Sequence, residues 1–267
     1  MKKLIYLCAF LALIGSVHFS VQAQTSKNQQ KMKMKEQDVE KSFGTIEGTF
    51  LIKDVKTGKT FIYNRKRANE RFTPESTFKL PNALIGLQTD AVRDEYDVKR
   101  WDGIVRQFET WNRDHTLGSA MRESAIWYYQ EMARDIGETQ MKDWVSRLNY
   151  GNKDISGGID HFWLDSTLKI TPFEQLNFIE KLYNEELPLD HNVIKTVKRM
   201  MIQEEGDSFT LYGKSGTRLS DLGLGWYVGF IKTNKQDFIF VTNVQGPGSQ
   251  AKAITVDILK DYQIMNY

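Results

Sequence analysis

One cysteine, Cys8, and four histidines are all that 267 residues offer of the usual metal-binding and nucleophilic ring and sulfur groups. Cys8 sits inside an apolar run from Leu4 to Val17 that follows Lys2 and Lys3 and precedes Val21-Gln22-Ala23. That order of charge, apolar core and small residues is a secretory signal peptide, residues 1–23, cleaved after Ala23. The cysteine leaves with it. Residues 24–267 then carry no disulfide, thiolate metal site or cysteine nucleophile, so stability rests on burial and catalysis on oxygen and nitrogen groups. Cys8 follows Ile5-Tyr6-Leu7 and lies too early for a lipoprotein site. His115, His161 and His191 are far apart, with no H-x-x-x-H pair, which argues against zinc and against a Ser-His-Asp triad. The apolar run is shorter than the about 20 residues of a membrane span. The expectation is a soluble, exported, periplasmic protein with no membrane contact after cleavage. Net charge of either sign is also lacking. There are 36 basic and 34 acidic residues, and Lys2 and Lys3 depart with the signal, so the remainder is formally neutral. Nothing asks for nucleic acid or an anionic surface.

Residues 24–42 are polar and lysine-rich, a leader or an amphipathic first helix. Gly48 to Asn64 reads as a β-hairpin, with Thr49-Phe50-Leu51-Ile52 and Thr60-Phe61-Ile62-Tyr63 flanking a turn at Gly58. A helix is predicted up to Gln88, with Pro81 in its first turns. Trp101 to Trp111 reads as loops and short helices, followed by helices over 118–135 and 138–149 separated by Gly137. Thr171 and Pro172 are an N-cap and first residue for a helix burying Phe173, Leu176, Ile179 and Leu182. Another helix is expected over 192–203. Strands over 209–214, 225–231 and 238–244 and a helix over 251–260 close the chain. Strands at both ends with helices between predict an α/β or α+β class, in which both termini build one sheet and a helical part, roughly 85–200, is inserted.

The chemistry centres on Pro74-Glu75-Ser76-Thr77-Phe78-Lys79. A serine hydroxyl needs a base within hydrogen-bond reach, and a lysine three residues on lies on the same helical face. A helix N-terminus adds backbone N–H groups and a positive dipole end for a developing oxyanion. Ser76 is therefore the candidate nucleophile of an acyl transfer. Ser166-Thr167-Leu168-Lys169 and Ser249-Gln250-Ala251-Lys252 have the same spacing. Only the first has the Pro-Glu lead-in and the apolar helix that continues from Leu80.

Three short strings follow in order: Ser124-Ala125-Ile126, Tyr150-Gly151-Asn152 and Lys214-Ser215-Gly216. Alone, each is an ordinary solvent-facing serine, helix-ending turn or strand exit. Together with Trp101-Asp102-Gly103, Phe162-Trp163-Leu164 and Gly225-Trp226-Tyr227-Val228-Gly229, they make residues 24–267 resemble a class D, oxacillinase-type, serine β-lactamase. The resemblance implies a penicillin-recognising β-lactamase/transpeptidase-like fold, an antiparallel sheet flanked by helices plus a helical subdomain, with the site between them. It implies hydrolysis of β-lactam antibiotics through a Ser76 acyl-enzyme, and hence resistance. It also implies that CO2 or bicarbonate carboxylates Lys79 to N6-carboxylysine, the general base of acylation and deacylation, with no other cofactor and no metal.

Physical chemistry supports that role. A lysine must lose its proton to act as a base or attack CO2, and an apolar wall of Phe78, Ile126, Trp163 and Leu164 would lower its pKa. An anion formed there needs donors, for which the Trp163 indole and the Ser124 hydroxyl are candidates. The class A pattern of Ser-Asp-Asn with a separate glutamate is missing, which leaves the base role to Lys79. By position, Lys214 supplies positive potential, Ser215 and Gly216 contact substrate, and the N–H groups of Ser76 and Thr217 form the oxyanion hole. Ile126 replaces the usual valine and Ser215 the usual threonine. Where the family often has an arginine, Ala251-Lys252-Ala253 stands, leaving Lys252, as a point charge, or Arg218 to meet the substrate carboxylate. The partners are small β-lactams, and the oligomeric state is monomer or homodimer. The rival readings are a β-lactam sensor or a transpeptidase/carboxypeptidase that deacylates slowly, and a structural or carbohydrate-binding protein with a degenerate site. The retained motifs argue against the last.

Overall fold

The computed structural model describes residues 34–266, so the expected signal peptide, Met32 and most of the polar leader lie outside the described residues. Helix α1, Glu36–Phe43, buries Val39 and Phe43 and presents its charges outward. Strands β1, Gly48–Asp54, and β2, Thr60–Tyr63, form the hairpin expected from the sequence. Gly58 takes a left-handed φ of 69° in its turn, a conformation open to glycine without cost.

A short helix α2, Arg65–Ala68, leads to the 3-10 turn Glu75–Phe78 and helix α3, Lys79–Gln88, nearly all of which is buried. Pro81 falls in the first turn of α3, where its missing N–H costs no hydrogen bond. Two two-residue strands, β3, Val98–Lys99, and β4, His115–Thr116, pair across the segment expected to hold only loops and short helices. The helix expected over 118–135 is in fact two, α4, Leu117–Glu123, and α5, Ile126–Ile136. Ser124 breaks them with φ 57°, a left-handed conformation that nothing in a serine announces. Gly137 then separates α5 from α6, Glu138–Arg147.

Helix α7, Pro172–Asn184, starts as predicted. Thr171 caps the Glu174 N–H, Glu174 returns the bond to the Thr171 N–H, and Pro172 occupies the first turn. Its buried face is Gln175, Leu176, Phe178, Ile179 and Leu182, with Phe173 only half-buried, so the apolar stripe lies one step further round than expected. Helix α8, His191–Met200, stops short of the expected Gln203, which belongs to strand β5, Ile202–Glu205.

Strands β6, Phe209–Thr217, β7, Gly225–Thr233, and β8, Phe238–Val244, complete an antiparallel sheet in the order β2-β1-β8-β7-β6-β5, and α9, Gly248–Asp261, closes the chain. The two ends of the chain meet where β1 pairs with β8, from Gly48 opposite Val244 to Asp54 opposite Phe238. Every residue of β8 and the first seven of β7 are buried, because α9 packs on one face of these strands and α7 on the other. A strand covered on both faces reads as a continuous apolar run rather than an alternation. From Glu36 onward the described chain is one compact unit, and its core runs unbroken from Val228 and Val241 in the sheet to Phe78, Leu84 and Met132 in the helices.

Thr171→Ala removes the capping hydroxyl of α7. The expected loss is about 1 kcal/mol, read as a lower urea midpoint at unchanged slope.

Candidate active site

The 3-10 turn Glu75–Phe78 runs directly into α3, and this puts Ser76 and Lys79 on one face. Lys79 Nζ lies 2.8 Å from Ser76 Oγ. Lys79 is fully buried and makes no ion pair among the described residues, and its Nζ also stands 5.4 Å above the ring of Tyr129. Burial, reinforced by the nearby charge of Lys214, holds its pKa well below the ordinary lysine value against the weaker opposing pull of Glu75. A neutral amine beside a hydroxyl can take its proton. Neither rival Ser-x-x-Lys matches this, since Lys169 is exposed and Lys252 donates instead to Gln203 Oε1 at 3.1 Å.

The apolar wall is aromatic. Phe78 stacks on Trp163 with centroids 5.3 Å apart and meets Phe162 and Tyr150 edge-on at 5.0 and 5.6 Å. Ile126 and Leu164 are half-buried beside it. The Trp163 indole N–H is buried and has no acceptor among the described residues. A buried donor left unpaired costs about 1–3 kcal/mol, so this one marks a place for an acceptor from outside the described side chains.

The left-handed turn at Ser124 aims its hydroxyl at the sheet, where Lys214 Nζ donates to Ser124 Oγ at 3.1 Å and to the Ser215 carbonyl at 2.8 Å. Lys214 is buried at the start of the site end of β6, and burial, then the charge of Lys252, lowers its pKa to about 7. The two serine–lysine pairs thus face each other across one cleft. Gly216 lets the strand come this close. A Cβ there would meet Pro74 O at 3.1 Å and the Ser76 nitrogen at 3.2 Å. Ser76, at the start of its turn, has an N–H with no intrahelical acceptor. Thr217, the other residue expected at the oxyanion site, lines the same cleft.

A cleft of about 190 Å³ opens over this pair, lined by Ser76, Ser124, Ile126, Ser215, Gly216 and Thr217 from the motifs. Phe108, Thr110, Trp111, Glu123 and Leu219 complete it. The sequence shows Trp111 only as an aromatic in a segment of loops and short helices, but its place is set by long-range bonds. Its indole donates to Glu123 O at 2.9 Å, and the Trp127 indole donates to Trp111 O at 2.8 Å.

Arg218 and Lys252, expected to meet a substrate carboxylate, are not brought to the cleft lining. Arg218 makes a two-pronged pair with Asp221, both bonds 2.8 Å, and lies 3.7 Å from Asp165, while Lys252 lies over the Tyr227 ring. Their charge is already matched or turned aside. Thr217 is better placed: it lines the cleft, and its Oγ1 accepts the Gly248 N–H at 2.8 Å, a bond that does not use its own proton.

The sequence reading also passed over Glu75. It is 2 % exposed, takes a left-handed φ of 51°, and has a carboxyl pushed up to about 7 by burial, against the opposing bonds from Thr73 and the Asp165 N–H.

A serine paired with a buried lysine, faced by a second serine and lysine on a strand of a six-stranded antiparallel sheet, defines the penicillin-recognising class of acyl-transfer proteins. Comparison with known proteins agrees and narrows it. The penicillin binding protein transpeptidase domain matches residues 15–262. A probable β-lactamase YbxI of Bacillus subtilis is 62 % identical over 265 residues, spanning 99 % of both chains. The β-lactamase OXA-48 of Klebsiella pneumoniae is 41 % identical over 211 residues, 77 % of this chain and 79 % of that one. Among solved structures, the class D β-lactamase BAT-2 superposes with a TM-score of 0.86 at 64 % identity, covering 88 % of this chain and all of that one. The chain belongs to the class D β-lactamase family.

A carboxyl whose folded pKa is raised stabilises the fold below its unfolded value, near 4.5, and loses that contribution as pH rises through about 7. Glu75→Gln should therefore flatten the fall in stability between pH 5 and 8, and be the more stable protein relative to the parent at pH 8. Urea unfolding of both at the two pH values reads this directly.

Proposed function

We propose that this chain hydrolyses β-lactam antibiotics through a Ser76 acyl-enzyme, with carboxylated Lys79 as general base in both half-reactions, and so confers β-lactam resistance. The observation that carries the proposal is a fully buried lysine without a counter-ion, 2.8 Å from a serine hydroxyl at a turn opening onto a cleft. Membership of the class D β-lactamases supports hydrolysis over a sensor or transpeptidase that stays acylated.

Ser76 Oγ attacks the β-lactam carbonyl as its proton passes to the base. The N–H groups of Ser76 and Thr217 hold the oxyanion as the C–N bond breaks. The departing nitrogen takes a proton from the Ser124 hydroxyl, which is resupplied through Lys214 at 3.1 Å. Water then attacks the ester, Ser76 regains its proton, and the opened product leaves. Carboxylation would give Lys79 an oxygen base within reach of both Ser76 and that water, held by the Trp163 indole and the Ser124 hydroxyl. The hydroxyls of Ser215 and Thr217, in the field of Lys214, take the substrate carboxylate, since Arg218 and Lys252 are engaged elsewhere. Lys2, Lys3 and the Leu4–Val17 run support export to the periplasm.

The test is turnover of a chromogenic cephalosporin by residues 24–267 with and without bicarbonate, beside intact-mass detection of adducts. Rates that rise with bicarbonate support the proposal, and a stoichiometric burst with a persistent adduct refutes it. Lys79→Ala should abolish turnover. Trp163→Ala should still acylate but accumulate acyl-enzyme, and rapid, bicarbonate-independent deacylation by that variant would count against the carbamate.

A further inference from the structure

Glu75 stands immediately before the nucleophile, yet no step above uses it. Its main-chain N–H donates to Trp163 O at 3.1 Å. Its carboxylate Oε1 accepts the Asp165 N–H at 2.9 Å and the Thr73 hydroxyl at 2.6 Å. One residue therefore grips both ends of the three-residue segment Trp163–Asp165, which lies in a stretch with no regular helix or strand of its own. The grip has a conformational cost. Glu75 keeps a left-handed φ, and so does Asp165 at 45°. A non-glycine residue stays in that region only where its surroundings over-determine it.

The segment has no comparable tie elsewhere on the turn. Phe78 touches Trp163 by stacking, which permits sliding, while hydrogen bonds at both ends fix register. The outer side of Asp165 carries the cleft rim, since Ser220 Oγ donates to Asp165 Oδ2 at 3.1 Å and Arg218 lies 3.7 Å away. Glu75 thus sits between the nucleophile turn, the indole with the unpaired N–H and the loop that bears Leu219.

We propose that Glu75 is a positioning residue: its carboxylate locks the Trp163–Asp165 segment to the Ser76 turn and thereby sets the indole N–H for a carboxylated Lys79. This rests on the Lys79 reading above. Glutamine keeps an oxygen acceptor for both donors, whereas alanine removes the one that holds the Asp165 N–H.

The test titrates 13C-bicarbonate into resting wild-type, Glu75→Gln and Glu75→Ala protein. It reads the lysine carbamate carbon by NMR, with acylation and deacylation rates followed by intact mass. Alanine should raise the half-saturating bicarbonate about tenfold or more, the usual cost of losing an outer-shell support. It should slow deacylation by a similar factor that excess bicarbonate restores, and slow acylation less. Glutamine should recover most of the bicarbonate affinity. Unchanged half-saturation in Glu75→Ala overturns the proposal, as does a Glu75→Gln protein as impaired as Glu75→Ala, which would make charge rather than contact the cause. Should alanine prevent folding, Thr73→Val, which deletes one of the two donors to Oε1, must raise the half-saturating bicarbonate, and no rise overturns the proposal. A wild-type protein with no carbamate signal refutes the Lys79 reading itself, which separates the two failures.

Discussion

An amine buried without a counter-ion is the constraint around which this molecule is arranged. Lys79 is fully covered, and among the described residues its one hydrogen bond is to the Ser76 hydroxyl. A charged ammonium in such a place would be costly, so the fold selects the neutral base instead. What keeps water away is the stack of Phe78 on Trp163 and the Tyr129 ring, which belong to three different parts of the chain. The sheet contributes the opposing wall only because Gly216 lets β6 come against the turn. Site and core are therefore one construction.

The two buried lysines are treated differently. Lys79 has a single hydroxyl and an aromatic face, whereas Lys214 is given two oxygens, from Ser124 and from its own neighbour Ser215. The second lysine keeps a pKa near 7 and so can exchange a proton under ordinary conditions. The first is left waiting for a partner, and the orphaned indole of Trp163 marks a place for one.

Much of this was legible in the sequence where the signal is local. The Thr171-Pro172-Phe173-Glu174 start of α7 and the Gly58 hairpin each carry their own chemistry, and the order of strands at both ends gave the sheet. The four motifs placed Ser76, Lys79, Ser124 and Lys214 in one cleft. What escaped was whatever depends on distant neighbours. A serine at positive φ looks like any serine, so the α4–α5 break did not show in a helix read over 118–135, and the helical pattern that runs on to Gln203 is cut short where Ile202 and Glu204 pair with β6. Arg218 reads as a free cation until Asp221 and Asp165 are seen beside it. Glu75 reads only as part of the Pro-Glu lead-in, because one of the two donors that hold it, the Asp165 N–H, lies 90 positions away.

The pairing of β1 with β8 has a consequence for synthesis. The hairpin of β1 and β2 can form early, but its inner edge matches a strand that ends at Val244. Until the last fifth of the chain exists, β1 presents an open edge and the Ser76 turn lacks the strand that confronts it. Contacts of such long sequence separation form late and slowly. The chain must therefore remain protected from edge-to-edge association for most of its synthesis. Its capacity to react is acquired in a single late event rather than by stages.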